Sequence, residues 1–373
     1  MTPTTMHDLM RDATRLTRAG DLSAATQAIQ RALSGAAAQG DANVLEGCVT
    51  EVADRACEPA PAASFPHAPR AAGLSAGEFV EGSHTHGSLT RHYKLYSPPG
   101  PLDRPLPLLV MLHGCTQDPD DFAAGTGMNS LAARQGFYVL YPAQAQGANP
   151  SRCWNWFKHN HQSRQRGEAA LIAALTQAVV KAHGIDPERV YIAGLSAGGA
   201  MAALVAAAFP EVYAAVGVHS GLAPGAASSL PEGLAAMRSG AGSPPLAAAP
   251  GSRLQVPAIV FHGANDTTVH PRNGEQVIEA ALSGSAASSP GMRPTIEQHV
   301  TPLGRHYTRS VYRTNSGPVL AEHWLLHGAG HAWSGGQAAG SYTDAQGPDA
   351  SAEMLRFFLS HSRRVGPGAH EPG

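Results

Sequence analysis

Gly194-Leu195-Ser196-Ala197-Gly198 sets a serine between two glycines. A serine hydroxyl is a poor nucleophile until a base takes its proton, so Ser196 can do acyl-transfer chemistry only where a histidine reaches it. The G-x-S-x-G spacing suits a tight turn from strand to helix. There the nucleophile takes a strained backbone, and glycine on either side lets the two elements approach without a clash. The flanks fit that context, with VYIAGL before the serine and GGAMAALVAAAFP after it. The first amides of the helix then favour developing negative charge. Five residues alone can arise by chance in a Gly/Ser turn; the flanking strand and helix carry the catalytic reading.

Where such a turn sits on a parallel sheet, the chain order is serine, acid, histidine. Asp266 lies in the turn after the apolar run AIVFH, with an ordinary Asn-Asp turn as its other reading. Asp344 and Asp349 come after the best histidine and break the order. That histidine is His331, in the glycine-rich loop Gly328-Ala329-Gly330-His331 after the run HWLL. His327, at the end of the run, is its nearest competitor. The acid would hold the imidazole tautomer and stabilise the imidazolium. A tetrahedral intermediate needs two preplaced amides. Ala197 is the candidate for one; Cys115, with Thr116 as the alternative, is the candidate for the other, in His113-Gly114-Cys115-Thr116-Gln117. The remaining histidines lack metal-ligand spacing, and the four cysteines form no CxxC pair. The expectation is therefore no metal and no organic cofactor.

The elements that must position these residues are legible as apolar runs. Residues 89–98 alternate like a strand, and Pro-Gly-Pro follows. Residues 106–113, 137–141, 190–195, 214–219, 258–262 and 323–326 read as buried strands. Residues 168–183, 198–209, 274–282 and 350–360 read as helices. Strands alternating with helices predict an α/β fold, a mostly parallel central sheet with helices on both faces. Ligands gather at the carboxyl ends of such strands, where the suggestive residues fall. The Ala/Gly/Pro/Ser-rich stretch 221–251 reads as a surface excursion or flexible lid.

Outside this region the chain is sparer. Residues 1–34 read as a helical segment, a cap or an arm for self-association, and 35–87 as a flexible linker. The catalytic domain is expected over 88–362, with a disordered tail over 363–373. Lys plus Arg (26) nearly balances Asp plus Glu (28), which argues against a nucleic-acid or polybasic membrane partner. No apolar stretch is long enough to span a bilayer, and the first residues lack the apolar core of a secretory signal. The expectation is a protein that stays inside the cell or leaves by another route.

These motifs together resemble the polyhydroxybutyrate depolymerase-like esterases, relatives of feruloyl and acetyl xylan esterases. The resemblance rests on LLVMLHGCTQDPDDFAAGTGMNSLAARQGFYVLYPAQ, CWNWF, RVYIAGLSAGGAMAALVAAAFPEVYAAVGVHSG, FHGANDTTVHPRNGEQV and GAGHAWSGG, and spans about residues 88–362. It implies an α/β-hydrolase fold with Ser196, Asp266 and His331 as the triad. It also implies Cys115 at the oxyanion loop, a disulfide from Cys115 to Cys153, and an extracellular or periplasmic setting. Trp154, Trp156 and Trp333 are candidates for the substrate pocket, with core packing as the other reading.

The implied activity is serine carboxylic ester hydrolysis of hydroxyalkanoate-type or other short-chain esters, with a feruloyl/acetyl xylan-type esterase as the alternative. Polymer-degrading members of the family carry a substrate-binding domain after the catalytic one. Here RRVGPGAHEPG follows the last helix, so a small ester or oligoester is the expected partner. A reading of another class is a catalytically silent hydrolase fold used as a binding scaffold; an intact triad argues against it.

Overall fold

The computed structural model describes residues 77–100, 104–242, 253–285, 292–314 and 317–363. All of them belong to the unit Ser75–Gly373. The expected helical segment 1–34, most of the expected linker and residues 364–373 of the expected tail lie outside the described residues.

Ten strands form one sheet: β1 (Glu78–His86), β2 (Leu89–Ser97), β3 (Leu108–Leu112), β4 (Tyr138–Pro142), β5 (Val190–Leu195), β6 (Ala215–His219), β7 (Ala258–Gly263), β8 (Thr295–Val300), β9 (His306–Arg313) and β10 (Val319–Leu326). Their spatial order is β1-β2-β4-β3-β5-β6-β7-β10-β9-β8. The six central strands, β4 through β10 in that order, pair in parallel. The flanking strands pair antiparallel. A pair of two-residue strands, β11 (Trp333–Ser334) and β12 (Thr343–Asp344), forms a separate ribbon.

Among the described residues the α-helices are α1 (Pro119–Thr126), α2 (Met128–Gln135), α3 (Gly167–His183), α4 (Ala197–Ala208), α5 (Leu230–Ser239), α6 (Arg272–Gly284) and α7 (Ala350–Leu359). Side chains alternate across a strand, so β3 feeds two cores. Leu108, Val110 and Leu112 pack in a cluster with residues of α3, α4 and α6. Leu109 and Met111 pack on the other face with residues of α1, α2 and α7. Both faces are covered, which is why the central strands read as unbroken apolar runs. No helix among the described residues is long and apolar enough to cross a membrane.

Two expectations are corrected. The stretch assigned to the linker contains β1, whose full length pairs with β2 from Glu78↔Ser97 to His86↔Leu89. Its half-exposed edge position left only a weak apolar pattern. The expected surface excursion is not featureless: Leu222, Ala223, Ala227 and Ala236 are buried, and α5 occupies Leu230–Ser239. Residues 243–250 of that stretch lie outside the described residues.

Candidate active site

The parallel pairing of β5, β6, β7 and β10 puts their carboxyl ends on one edge of the sheet. Ser196 follows β5, Asp266 lies just beyond β7 and His331 just beyond β10. Ser196 has φ 57° and ψ −121° and is directly followed by α4. That strained backbone is held from both sides: its N–H donates to the His219 carbonyl at 2.9 Å, and its carbonyl accepts from Ala200 N at 2.9 Å. Glycine is required next door. A Cβ on Gly198 would lie 2.0 Å from the Leu112 carbonyl oxygen. The Ala197 amide opens the helix, where backbone N–H groups have no intrahelical partner.

The candidate acid and the candidate base meet in space. His331 Nδ1 is 2.7 Å from Asp266 Oδ2. The other carboxylate oxygen accepts from the amides of Thr268 (2.9 Å) and Val269 (2.8 Å). Burial pushes the Asp266 carboxyl up, but its bond to His331, the His331 charge and the Val269 amide outweigh this and hold it below the ordinary carboxylate range. An ionised carboxylate only accepts, so Nδ1 of His331 carries a proton, and in a neutral imidazole Nε2 then presents a lone pair. The two loops are locked together, since Asn265 N donates to the Ala329 carbonyl at 2.9 Å and a Cβ on Gly263 would strike the Gly330 oxygen at 2.4 Å.

The competitors have other partners. His327 Nε2 is 2.8 Å from Thr308 Oγ1 on β9. Asp344 pairs with Arg305 at 3.1 Å, and Asp349 caps α7 through the Ala352 amide at 2.9 Å.

In the loop after β3, the amides of Gly114, Thr116 and Gln117 are engaged by Gln117 Oε1 (2.9 Å), the Ser151 carbonyl (2.7 Å) and the Gly114 carbonyl (3.4 Å). Thr116 is thereby disfavoured as an oxyanion donor, and Cys115 keeps its candidacy. His113 braces the loop, donating from Nδ1 to the Gly114 carbonyl (2.7 Å) and accepting the Gln144 amide at Nε2 (3.1 Å). Burial lowers its pKa to about 4, so it stays neutral.

Cys115 is joined to Cys153 by a disulfide. The far end of that bridge is anchored by a group the sequence did not flag. Glu168, fully buried on the first turn of α3, accepts from Arg91 (3.0 Å), Gln144 Nε2 (2.6 Å), the Asn155 amide (2.7 Å) and Asn155 Nδ2 (2.8 Å). A lone glutamate in an otherwise apolar stretch of helix was its only signal. His219 was also missed. It stacks between Phe261 and Trp333 while its Nε2 accepts the Ser334 amide at 3.0 Å. Burial lowers its pKa to about 3.

The three candidate pocket tryptophans are buried. Trp154 and Trp333 are 0% and 1% exposed and belong to the core. Their indole N–H groups are spent on the His113 carbonyl (3.1 Å) and Ser351 Oγ (3.0 Å). Trp156 is buried too, packed edge-on against Phe157. Aromatic rings beside a candidate site read alike as pocket or core in sequence, and the packing of these three fits the core reading.

Among the described residues no group of three or more His, Cys, Asp or Glu is arranged to hold a metal ion. Residues 91–289 match the family described as Esterase PHB depolymerase. The chain is 33% identical over 233 residues to poly(3-hydroxyalkanoate) depolymerase C of Paucimonas lemoignei, covering 60% of this chain and 54% of that protein. It thus spans about half the length of that relative. It is 30% identical over 195 residues to feruloyl esterase B of Thermothelomyces thermophilus, covering 48% of this chain and 66% of that protein. In fold it is similar to the acetyl xylan esterase from Aspergillus awamori, with a TM-score of 0.59, 19% identity and coverage of 75% of this chain and 99% of that one.

Proposed function

The chain belongs to the PHB depolymerase esterase family, and from that premise we propose that it is a serine carboxylic ester hydrolase acting on hydroxyalkanoate-type oligoesters or other short-chain esters. The observation that carries this reading is the 2.7 Å contact between His331 Nδ1 and Asp266 Oδ2, on the sheet edge that also bears the strained Ser196. Ser196 Oγ attacks the ester carbonyl while Nε2 of His331 takes its proton; Asp266 stabilises the imidazolium that results. The amides of Ala197 and Cys115 receive the developing oxyanion. His331 then protonates the leaving alcohol, and in the second half activates the water that releases the acid.

Similarity to a feruloyl esterase keeps a second substrate class in view, esters of an aromatic acid. A self-association role for residues 1–34 is separable from catalysis, and their deletion tests it through complex size. The triad is tested by hydrolysis of p-nitrophenyl esters from acetate to octanoate, with labelling by a fluorophosphonate, for wild type and Ser196→Ala. Loss of both in a folded Ser196→Ala supports the reading. Equal rates for both proteins, or no ester hydrolysis and no labelling, removes it and brings the binding-scaffold reading forward.

A further inference from the structure

Tyr342 and Thr116 both sit at positive φ, 52° and 67°. Bulky and β-branched residues enter that region only where their surroundings hold them there, and such outliers cluster at functional sites. The two side chains meet. Thr116 Oγ1 donates to the Cys115 carbonyl at 2.6 Å, which leaves its oxygen to accept from the Tyr342 hydroxyl at 3.1 Å.

The contact joins two loops of the candidate site. Thr116 adjoins Cys115 in the loop after β3. Tyr342 is tied to the loop of the base, its carbonyl accepting from Trp333 N at 2.7 Å, two residues beyond His331. Its neighbour Ser341 donates from its backbone amide to Asp121 Oδ1 at 2.8 Å, so the backbone around the ring is fixed. Tyr342 is 47% exposed, in contrast to the buried Trp333 beside it. Glycine or asparagine would meet the backbone demand at position 342 with less strain. What tyrosine adds is an apolar ring facing solvent beside the oxyanion loop, and a hydroxyl that holds the ring against that loop.

We propose that Tyr342 is a specificity-determining residue, its ring forming one wall of the ester cleft and covering the extended apolar or aromatic part of the bound ester. Its bond to Thr116 makes it in addition a positioning residue for the Cys115 amide. The proposal rests on the esterase reading and narrows it to esters with a hydrophobic group beyond the carbonyl.

The test compares wild type, Tyr342→Asn and Tyr342→Phe. Asparagine tolerates the left-handed backbone and so guards against misfolding, which a thermal midpoint checks. The kcat/KM ratio of p-nitrophenyl octanoate to acetate probes the acyl side, and that of hexyl to methyl acetate the alcohol side. In Tyr342→Asn one of these ratios is expected to fall about tenfold, chiefly through KM, as for a lost apolar pocket contact. Tyr342→Phe is expected to keep both ratios while lowering kcat to a similar degree for every ester. Labelling of Ser196 with unchanged ratios in Tyr342→Asn, or a uniform loss across all esters, would overturn the proposal and leave the esterase reading standing. A wild type that neither hydrolyses any ester nor takes the label removes both.

Discussion

His331 and Asp266 are 65 residues apart in the chain, yet Nδ1 of one lies 2.7 Å from Oδ2 of the other. The contact depends on the parallel pairing of β7 and β10, which runs from Ala321↔Ala258 to Leu326↔Gly263 and delivers both loops to the same edge. A carboxylate there does two jobs at once, since Oδ1 is held by the Thr268 and Val269 amides while Oδ2 faces the imidazole.

Those two jobs can be separated by Asp266→Asn. The amide oxygen can still accept from Thr268 and Val269, so the turn survives and the thermal midpoint is expected to fall by only a few degrees. The amide nitrogen, however, would present N–H groups to His331 Nδ1 and favour the tautomer with its proton on Nε2. In the proposed mechanism that nitrogen could then no longer take the serine proton. A loss of about 10⁴-fold in kcat at neutral pH is expected, as in other triads with this substitution. Retention of more than about a tenth of kcat would show that another group orients the imidazole.

The Cys115–Cys153 disulfide closes a 38-residue separation, for which chain entropy gives about 4 kcal/mol of stabilisation. Reduction by dithiothreitol, or Cys153→Ser, is expected to lower the unfolding free energy by about that amount at most. On the proposed mechanism it should also lower kcat, because the bridge fixes the loop that carries the Cys115 amide, the candidate oxyanion donor. Losing an oxyanion donor outright costs about 10²–10³-fold, so a loosened donor should cost less. Urea unfolding and steady-state kinetics on the same oxidised and reduced samples separate the two effects. A stability loss with unchanged kcat would detach the disulfide from catalysis.

Much of the frame was legible because strands buried on both faces leave continuous apolar runs. The expected strands 190–195 and 258–262 match β5 (Val190–Leu195) and β7 (Ala258–Gly263) closely. The expected helix 168–183 is α3. The edges were not legible. β8 reads TIEQHV, with Ile296 62% exposed, and carries no clean alternation. Helices α1 and α2 have eight residues each, too short for periodicity to stand out, and only Asp118 and Pro119 mark where the first begins. The candidate triad could be read from motif order, because each member follows a strand end. The supporting contacts could not. Nothing local announces that Glu168 meets Asn155, or Tyr342 meets Thr116, because those contacts span 13 and 226 residues.

Buried neutral histidines make the protein sensitive to mild acid. Burial lowers the pKa of His113 to about 4, of His219 to about 3 and of His323 to about 4. In the unfolded chain each returns to about 6.5. Between those values the unfolded state binds more protons than the folded one, so stability falls as pH falls through this window. At pH 5.5 each such histidine is expected to cost about 1.4 kcal/mol relative to pH 8, hence about 4 kcal/mol for the three together. That is a large share of the 5–15 kcal/mol typical of a folded domain. Asp266 and Glu322 do not offset the loss. Their carboxyls are held below the ordinary range, so the stability they contribute persists through this window and fades only below about pH 4. Urea unfolding at pH 8 and pH 5.5 measures the difference directly. His323→Gln, which removes one of these groups, should shrink it by about 1.4 kcal/mol. Equal unfolding free energies at the two pH values would mean that these histidines titrate in the folded protein as they do in the unfolded chain.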